Sequence, residues 1–153
     1  MAKTKVVVKE IDRGEKAIKA AIKSAHGSYV TVGVHEKAMY DNGTPVALVA
    51  YYNEFGTRFI PERSFIRSNF EENRQAYKEL VASLYKDVIV LKATVNIALG
   101  TLGVRLMADI RKKISSNIPP PNEPETLDRK VGTRTLIDSK LLLNSINFEI
   151  TEK

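Results

Sequence analysis

Between Ile66 and Ile114, apolar residues recur at three-, four- and seven-residue intervals in two successive stretches. The first carries Ile66, Phe70, Tyr77, Leu80, Val81, Leu84 and Val88, with Glu71, Glu72, Arg74, Lys78 and Glu79 in the remaining positions. The second keeps Val95, Leu99, Leu102, Leu106, Ile110 and Ile114 in register. This spacing turns one side of each segment toward a core and predicts two long helices. Gly100 and Gly103 lie inside the second helix. Each costs about 1 kcal/mol against alanine, so they mark either a close approach of a neighbouring backbone or a kink.

Shorter elements flank these helices. Lys5 to Ile11, built around Val6, Val7 and Val8, suits a short strand. Asp12 stands three residues before Glu15, as at a capping box. Ala17, Ile18, Ala21, Ile22 and Ala25 then form the apolar stripe of a helix whose outer face carries Lys16, Lys19 and Lys23. His26-Gly27 ends it. Tyr29 to His35 reads as a strand with Val30, Val32 and Val34 on one face. The turn-rich run Asp41 to Pro45 comes next, and Pro45 opens a short helix through Ala47, Leu48, Val49 and Tyr52 that Gly56 closes. Leu136 to Ile146 looks helical, with Asp138 or Ser139 as N-cap, and Asn147 to Thr151 looks like a closing strand.

Ser115 to Gly132 differs in composition, holding Pro119-Pro120-Pro121 and Pro124 among asparagines and charges. Consecutive prolines favour an extended polyproline form and stay out of helix and sheet interiors. The residues after this segment are too few to hold a core of their own, so residues 115–135 are expected as an extended loop or arm of one domain spanning 1–153. The expected class is α+β: a small, mainly antiparallel sheet packed against two long helices plus shorter helices. A chain of 153 residues accommodates that in one core.

Composition excludes several kinds of chemistry. There is no cysteine, which removes disulfides, thiolate metal sites and thiol nucleophiles. No apolar run approaches the roughly 20 residues of a membrane span, and Val6-Val7-Val8 is too short for a secretory signal, so a cytoplasmic protein is expected. His26 and His35 lack metal-ligand spacing. His35-Glu36 would point in opposite directions on a strand. Gly100-Thr101-Leu102-Gly103 lacks the ending of a phosphate loop, and no Gly-x-Ser-x-Gly elbow occurs. Glu71-Glu72 and Glu123 with Glu125 read as surface carboxylates. Neither catalytic residues nor a metal or cofactor site is expected. The net charge of +6 keeps a small basic nucleic-acid-binding module as an alternative, using Lys16, Lys19, Lys23 and Arg111-Lys112-Lys113. The basic residues are nonetheless spread among eighteen acids, and the last cluster sits where a helix C-terminus favours cations anyway.

The densest feature is Tyr51 to Arg67, with five aromatics in its first fifteen residues and Arg58, Arg63 and Arg67 interleaved. Tyrosine, phenylalanine and arginine are enriched at interface centres. The same composition also fits a core corner between two helices with arginines stacked on its rim. Asn53-Glu54-Phe55-Gly56-Thr57 followed by Ile60-Pro61-Glu62-Arg63-Ser64-Phe65-Ile66-Arg67 resembles the signature of the virion morphogenesis and tail-completion (head–tail joining, neck) proteins of tailed bacteriophages. Pro120-Pro121-Asn122-x-Pro124-x-Thr126, Arg129-Lys130, Leu136-Ile137-Asp138-Ser139, Leu141 and Ser145-Ile146 are similar to that family's second block. The likeness covers about residues 28 to 150. Ser64 stands where the family usually has proline. Ser139-Lys140 replaces its usual Thr-Gly pair, which would remove a tight turn and let a helix begin without interruption.

The resemblance implies a structural α+β protein of the virion neck that forms a ring, often hexameric, between head connector and tail tube. Its expected partners are copies of itself, head connector or adaptor proteins, tail tube or tail terminator proteins, and DNA in transit without sequence-specific binding; no membrane is involved. Asn53, Glu54, Phe55, Gly56, Thr57, Arg58, Pro61, Arg63, Phe65 and Arg67 are the subunit-contact candidates. Pro119, Pro120, Pro121, Asn122, Pro124, Thr126, Arg129 and Lys130 are the arm candidates, placed to reach a neighbouring subunit or ring. The expected location is the virion, with the host cytoplasm during assembly.

Overall fold

A computed structural model describes residues 14–35, 38–129, 132–137 and 140–152. The elements run α1 (Glu15–Ala25), β1 (Tyr29–Val34), α2 (Val46–Phe55), α3 (Arg67–Ile89), α4 (Val95–Ser115), α5 (Pro124–Arg129), α6 (Leu141–Ser145) and β2 (Ile146–Thr151). The fold is α+β, as the alternation of periodicities predicts. The strand expected over Lys5 to Ile11, the Asp12 end of the capping box and the Asp138 or Ser139 cap lie outside the described residues.

β1 and β2 pair antiparallel, with Tyr29 opposite Thr151 and Val34 opposite Ile146. Helix α4 packs against both strands, α3 packs on α4, and α1 lies against α3 and α4. Gly103 permits the contact of α4 with the sheet. A Cβ there would come within 2.5 Å of Phe148 Cδ2, so the close neighbour is an aromatic ring rather than a backbone. Gly100 has only Ile150 Cδ1 nearby, at 3.8 Å. A polar seam joins α3 to α4: Tyr77 donates to Asp109 at 3.1 Å and accepts from Asn69 at 2.9 Å, while Arg105 Nε donates to Asp109 at 2.7 Å.

The buried cluster is Val46, Ala50, Phe65, Ile110, Ile114, Ile118, Leu136, Leu142 and Ile146. It gathers where the end of α4 meets α2, α6 and the start of the proline-rich arm. Two expectations change here. The helix predicted over Leu136 to Ile146 shrinks to α6, because Leu136 is buried before it and Lys140 takes a left-handed backbone at φ 62°. Lys140 thus adopts the conformation that a glycine would favour at that place. The arm is not extended throughout either, since Pro124 opens the short helix α5, where a missing N–H and a fixed φ are tolerated. Among the described residues, no helix is long and apolar enough to cross a membrane.

The two α4 glycines should respond oppositely to alanine. Gly100→Ala gains helix propensity of about 1 kcal/mol and should raise the melting temperature by about 2–4 °C. Gly103→Ala adds an overpacking cost of about 1–3 kcal/mol against Phe148, and its melting temperature should fall below that of the parent in calorimetry.

Candidate functional site

Helix α2 is apolar along most of its length, and Glu54 is the only acid between Val46 and Pro61. Burying a carboxylate is costly unless donors surround it. Glu54 is 4% exposed, and the donors come from Ser64 to Ile66, which lead into α3, and from Arg67 at its start. Phe65 N and Ile66 N donate to its Oε2 at 2.8 and 2.9 Å, and Arg67 N donates to Oε1 at 2.9 Å. Ser64 Oγ and Arg67 Nε donate to Oε1 at 2.7 and 3.1 Å. The first turn of a helix leaves its N–H groups without intrahelical partners and carries partial positive charge. Glu54 supplies acceptors and negative charge to that turn from a different helix. Burial alone would raise its pKa, and the hydrogen bonds from Ile66, Arg67, Ser64 and Phe65 outweigh this and hold it below the ordinary glutamate value.

The chain between the two helices is shaped to allow this clamp. Gly56 ends α2 at φ 72°, and a Cβ there would meet Glu62 N at 3.0 Å. Thr57 N donates to Ile60 O at 2.8 Å, while Thr57 Oγ1 accepts from Phe59 N and Ile60 N at 3.2 and 2.9 Å. The tight turn directs Arg58 and Phe59 outward. Phe59 is 87% exposed, with the Arg58 guanidinium 5.7 Å from its ring centroid. Arg67 bridges to Glu62 at 2.7 Å, donates to Glu54 O at 2.6 Å, and lies 4.5 Å over the half-exposed ring of Phe55.

Arg63 joins this corner to the arm. It is 6% exposed; its N–H donates to Asn53 O at 2.7 Å, Nε to Pro120 O at 2.8 Å and Nη2 to Pro121 O at 2.9 Å. Desolvation lowers its pKa from the usual arginine value, and the Glu123 charge partly restores it. Further along the arm, Asn117 Oδ1 accepts from Thr135 N at 2.9 Å, and Asn122 Nδ2 reaches Thr133 O and Arg134 O at 3.5 and 3.4 Å. The arm is therefore fastened to its own body between Ile118 and Leu136, both in the core. Pro119, Pro120, Pro121, Pro124 and Thr126 stay exposed, and Lys130 lies outside the described residues.

The core-corner reading of the aromatic-arginine stretch applies to part of it, and the remainder lies on the surface. Glu54, Arg63 and Phe65 are buried inside the chain and form the corner. Phe55, Thr57, Arg58, Pro61 and Arg67 are exposed, Asn53 and Gly56 are half-buried, and the neighbouring Tyr51 and Phe59 join them on the surface. Sequence reasoning missed Asn117, Thr135 and the capping role of Glu54. The lone acid of an apolar helix was the available signal for the last. Ser64 is also used by the clamp: its hydroxyl donates to Glu54 and accepts from Ser68 N at 3.1 Å.

Other charged groups are dispersed. Lys19 pairs with Glu15, Lys113 with Glu72, and Arg111 Nη2 donates to Ile146 O at 2.8 Å. His35 Nε2 lies 3.4 Å from Thr31 Oγ1 and 3.9 Å from Glu149. No group of three or more metal-ligating side chains occurs among the described residues. Comparison with known protein families, curated proteins and solved structures finds no match to this chain.

Two variants test the corner. Because the Glu54 pKa is depressed in the folded chain, its contribution is complete above the unfolded glutamate pKa and is lost as pH falls toward the folded value. Glu54→Gln puts an amide donor against α3 and should cost about 3–5 kcal/mol at neutral pH. In acid titrations followed by circular dichroism, it should also flatten the loss of stability below the ordinary carboxylate range. Arg63→Met removes both donors to the arm, and limited proteolysis should cut within residues 119–134 at least several-fold faster.

Proposed function

We propose that this chain is a structural protein of the neck of a tailed-phage virion, of the tail-completion kind. It acts without catalysis, assembling as a ring between head connector and tail tube with DNA passing through the middle. The observation that supports this reading best is the meeting of the two resembling sequence blocks. Arg63 of the first block holds the carbonyls of Pro120 and Pro121 in the second, across 57 and 58 residues of chain. The polar groups of the two blocks thereby build a rigid corner, and Tyr51, Phe55, Arg58, Phe59 and Arg67 stand on its outside.

An aromatic group with guanidinium neighbours on a stiff support has the composition of an interface centre. Docking orders little backbone here, because the Thr57 turn already holds Phe59 and helix α2 holds Tyr51 and Phe55. Phe70, Val81, Tyr85 and Ile97 on α3 and α4 are also about half exposed or more. A contact between two different faces, repeated about an axis, closes a ring when the rotation divides the circle. Exposed aromatic residues both at the α2 corner and along α3 suit such a contact.

Light scattering at micromolar concentration, or mass measurement of assembled particles, should show multimers. A strictly monomeric protein that is missing from purified virions would refute the reading. The paired substitution Tyr51→Ser with Phe59→Ser should change monomer stability by no more than about 1 kcal/mol, since both rings are exposed, and should abolish the multimer.

A further inference from the structure

A cleft of about 460 Å³ opens between α2, the Thr57–Pro61 turn, the arm and the start of α6. Its volume falls in the range of sites that hold a small ligand or a short peptide stretch. Val49, Ile60 and Leu141 give it apolar walls, and among the described residues Arg63, Lys140 and Glu123 are its charged lining.

Arg63 is the unusual member. It is nine-tenths buried, and two of its side-chain nitrogens are committed to backbone carbonyls. The third, Nη1, makes no hydrogen bond among the described residues and is not sealed from solvent. No carboxylate of the described residues lies within ion-pair distance of this guanidinium, and Glu123 acts on it only through its field. A desolvated cation with a spare donor, beside an open cleft, favours an anion far more than an exposed arginine does. Next to it, Asn53 gives Nδ2 to Val49 O at 2.8 Å and leaves its Oδ1 available as an acceptor. Donor, acceptor and apolar wall together match the end of a peptide.

We infer that this cleft receives a carboxylate on an apolar stem, presented by an extended segment of a partner protein. The carboxylate seats on Arg63 Nη1, a peptide N–H faces Asn53 Oδ1, and an apolar side chain lies against Val49 and Leu141. Among the described residues a single negative charge is the appropriate complement, since Arg63 and Lys140 are offset by Glu123. A phosphate dianion would exceed that balance and would leave the apolar wall unused. Such binding is distinct from ring formation and holds whether or not the chain multimerises.

The test is a titration of the full-length, isotope-labelled protein followed by nuclear magnetic resonance, including the arginine Nε–H region. The probes are N-acetyl-leucyl-leucine with a free carboxylate, its C-terminal amide, N-acetyl-leucine and inorganic phosphate. The dipeptide acid should give saturable shifts at Arg63 and Leu141 with a dissociation constant on the order of millimolar. The amide should bind at least tenfold more weakly. N-acetyl-leucine should bind more weakly than the dipeptide, and equal binding would assign the cleft to a small free acid and overturn the peptide reading. Lys140→Glu, at an exposed position outside the core, should weaken the dipeptide acid several-fold while leaving the spectrum of the free protein dispersed. Equal response to acid and amide, or no shift with either, overturns the inference. Tighter binding of phosphate at the same residues would mean an adventitious ion only and would overturn it as well.

Discussion

One buried carboxylate sets the geometry on which the exposed aromatic-arginine surface depends. Glu54 leaves water at the end of an apolar helix, and the cost of that transfer is offset by donors from the residues leading into the next helix and from its first residue. The arrangement works in both directions. The first turn of α3 gains acceptors for N–H groups that its own backbone cannot satisfy, and α2 gains a place for its only charge. The relative placement of the two helices results from that exchange. The intervening turn then has few choices, and Gly56 and Thr57 supply the backbone shape and the side-chain acceptor that complete it.

A second link carries this order across the chain. The Arg63 guanidinium is too large and too polar to be buried without acceptors, and the proline run offers carbonyls that no N–H of its own consumes. The proline residues lack donors and cannot join a helix or sheet interior, so their carbonyls remain available to a fork of N–H groups. A segment that composition marks as an arm is thereby made part of the body. The groups left outside at this corner are mainly aromatic rings and guanidinium heads.

Much of the architecture is legible before folding. The stripes of α3 and α4, the valine alternation of β1, the glycine that ends α2 and the closing strand β2 all correspond to observed elements. They are readable because helical and strand periodicities are properties of a few neighbouring residues. The exceptions have a common origin. Leu136 fails to start a helix because Thr135 N is taken by Asn117, eighteen residues away, and because Lys140 turns left-handed. Gly103 cannot be told from Gly100 in sequence, since the Phe148 ring that distinguishes them comes from a strand at the far end of the chain.

The sequence by itself therefore determined the class of fold, the positions of most elements and the two blocks in which unusual residues concentrate. Only the tertiary structure decided which members of those blocks are internal supports and which are surface. Glu54, Arg63 and Phe65 went inward, and Phe55, Arg58 and Phe59 stayed out. The reason is that periodicity needs only local backbone geometry. Whether a charged or aromatic side chain can leave water depends on the donors, acceptors and apolar walls that distant segments bring to it.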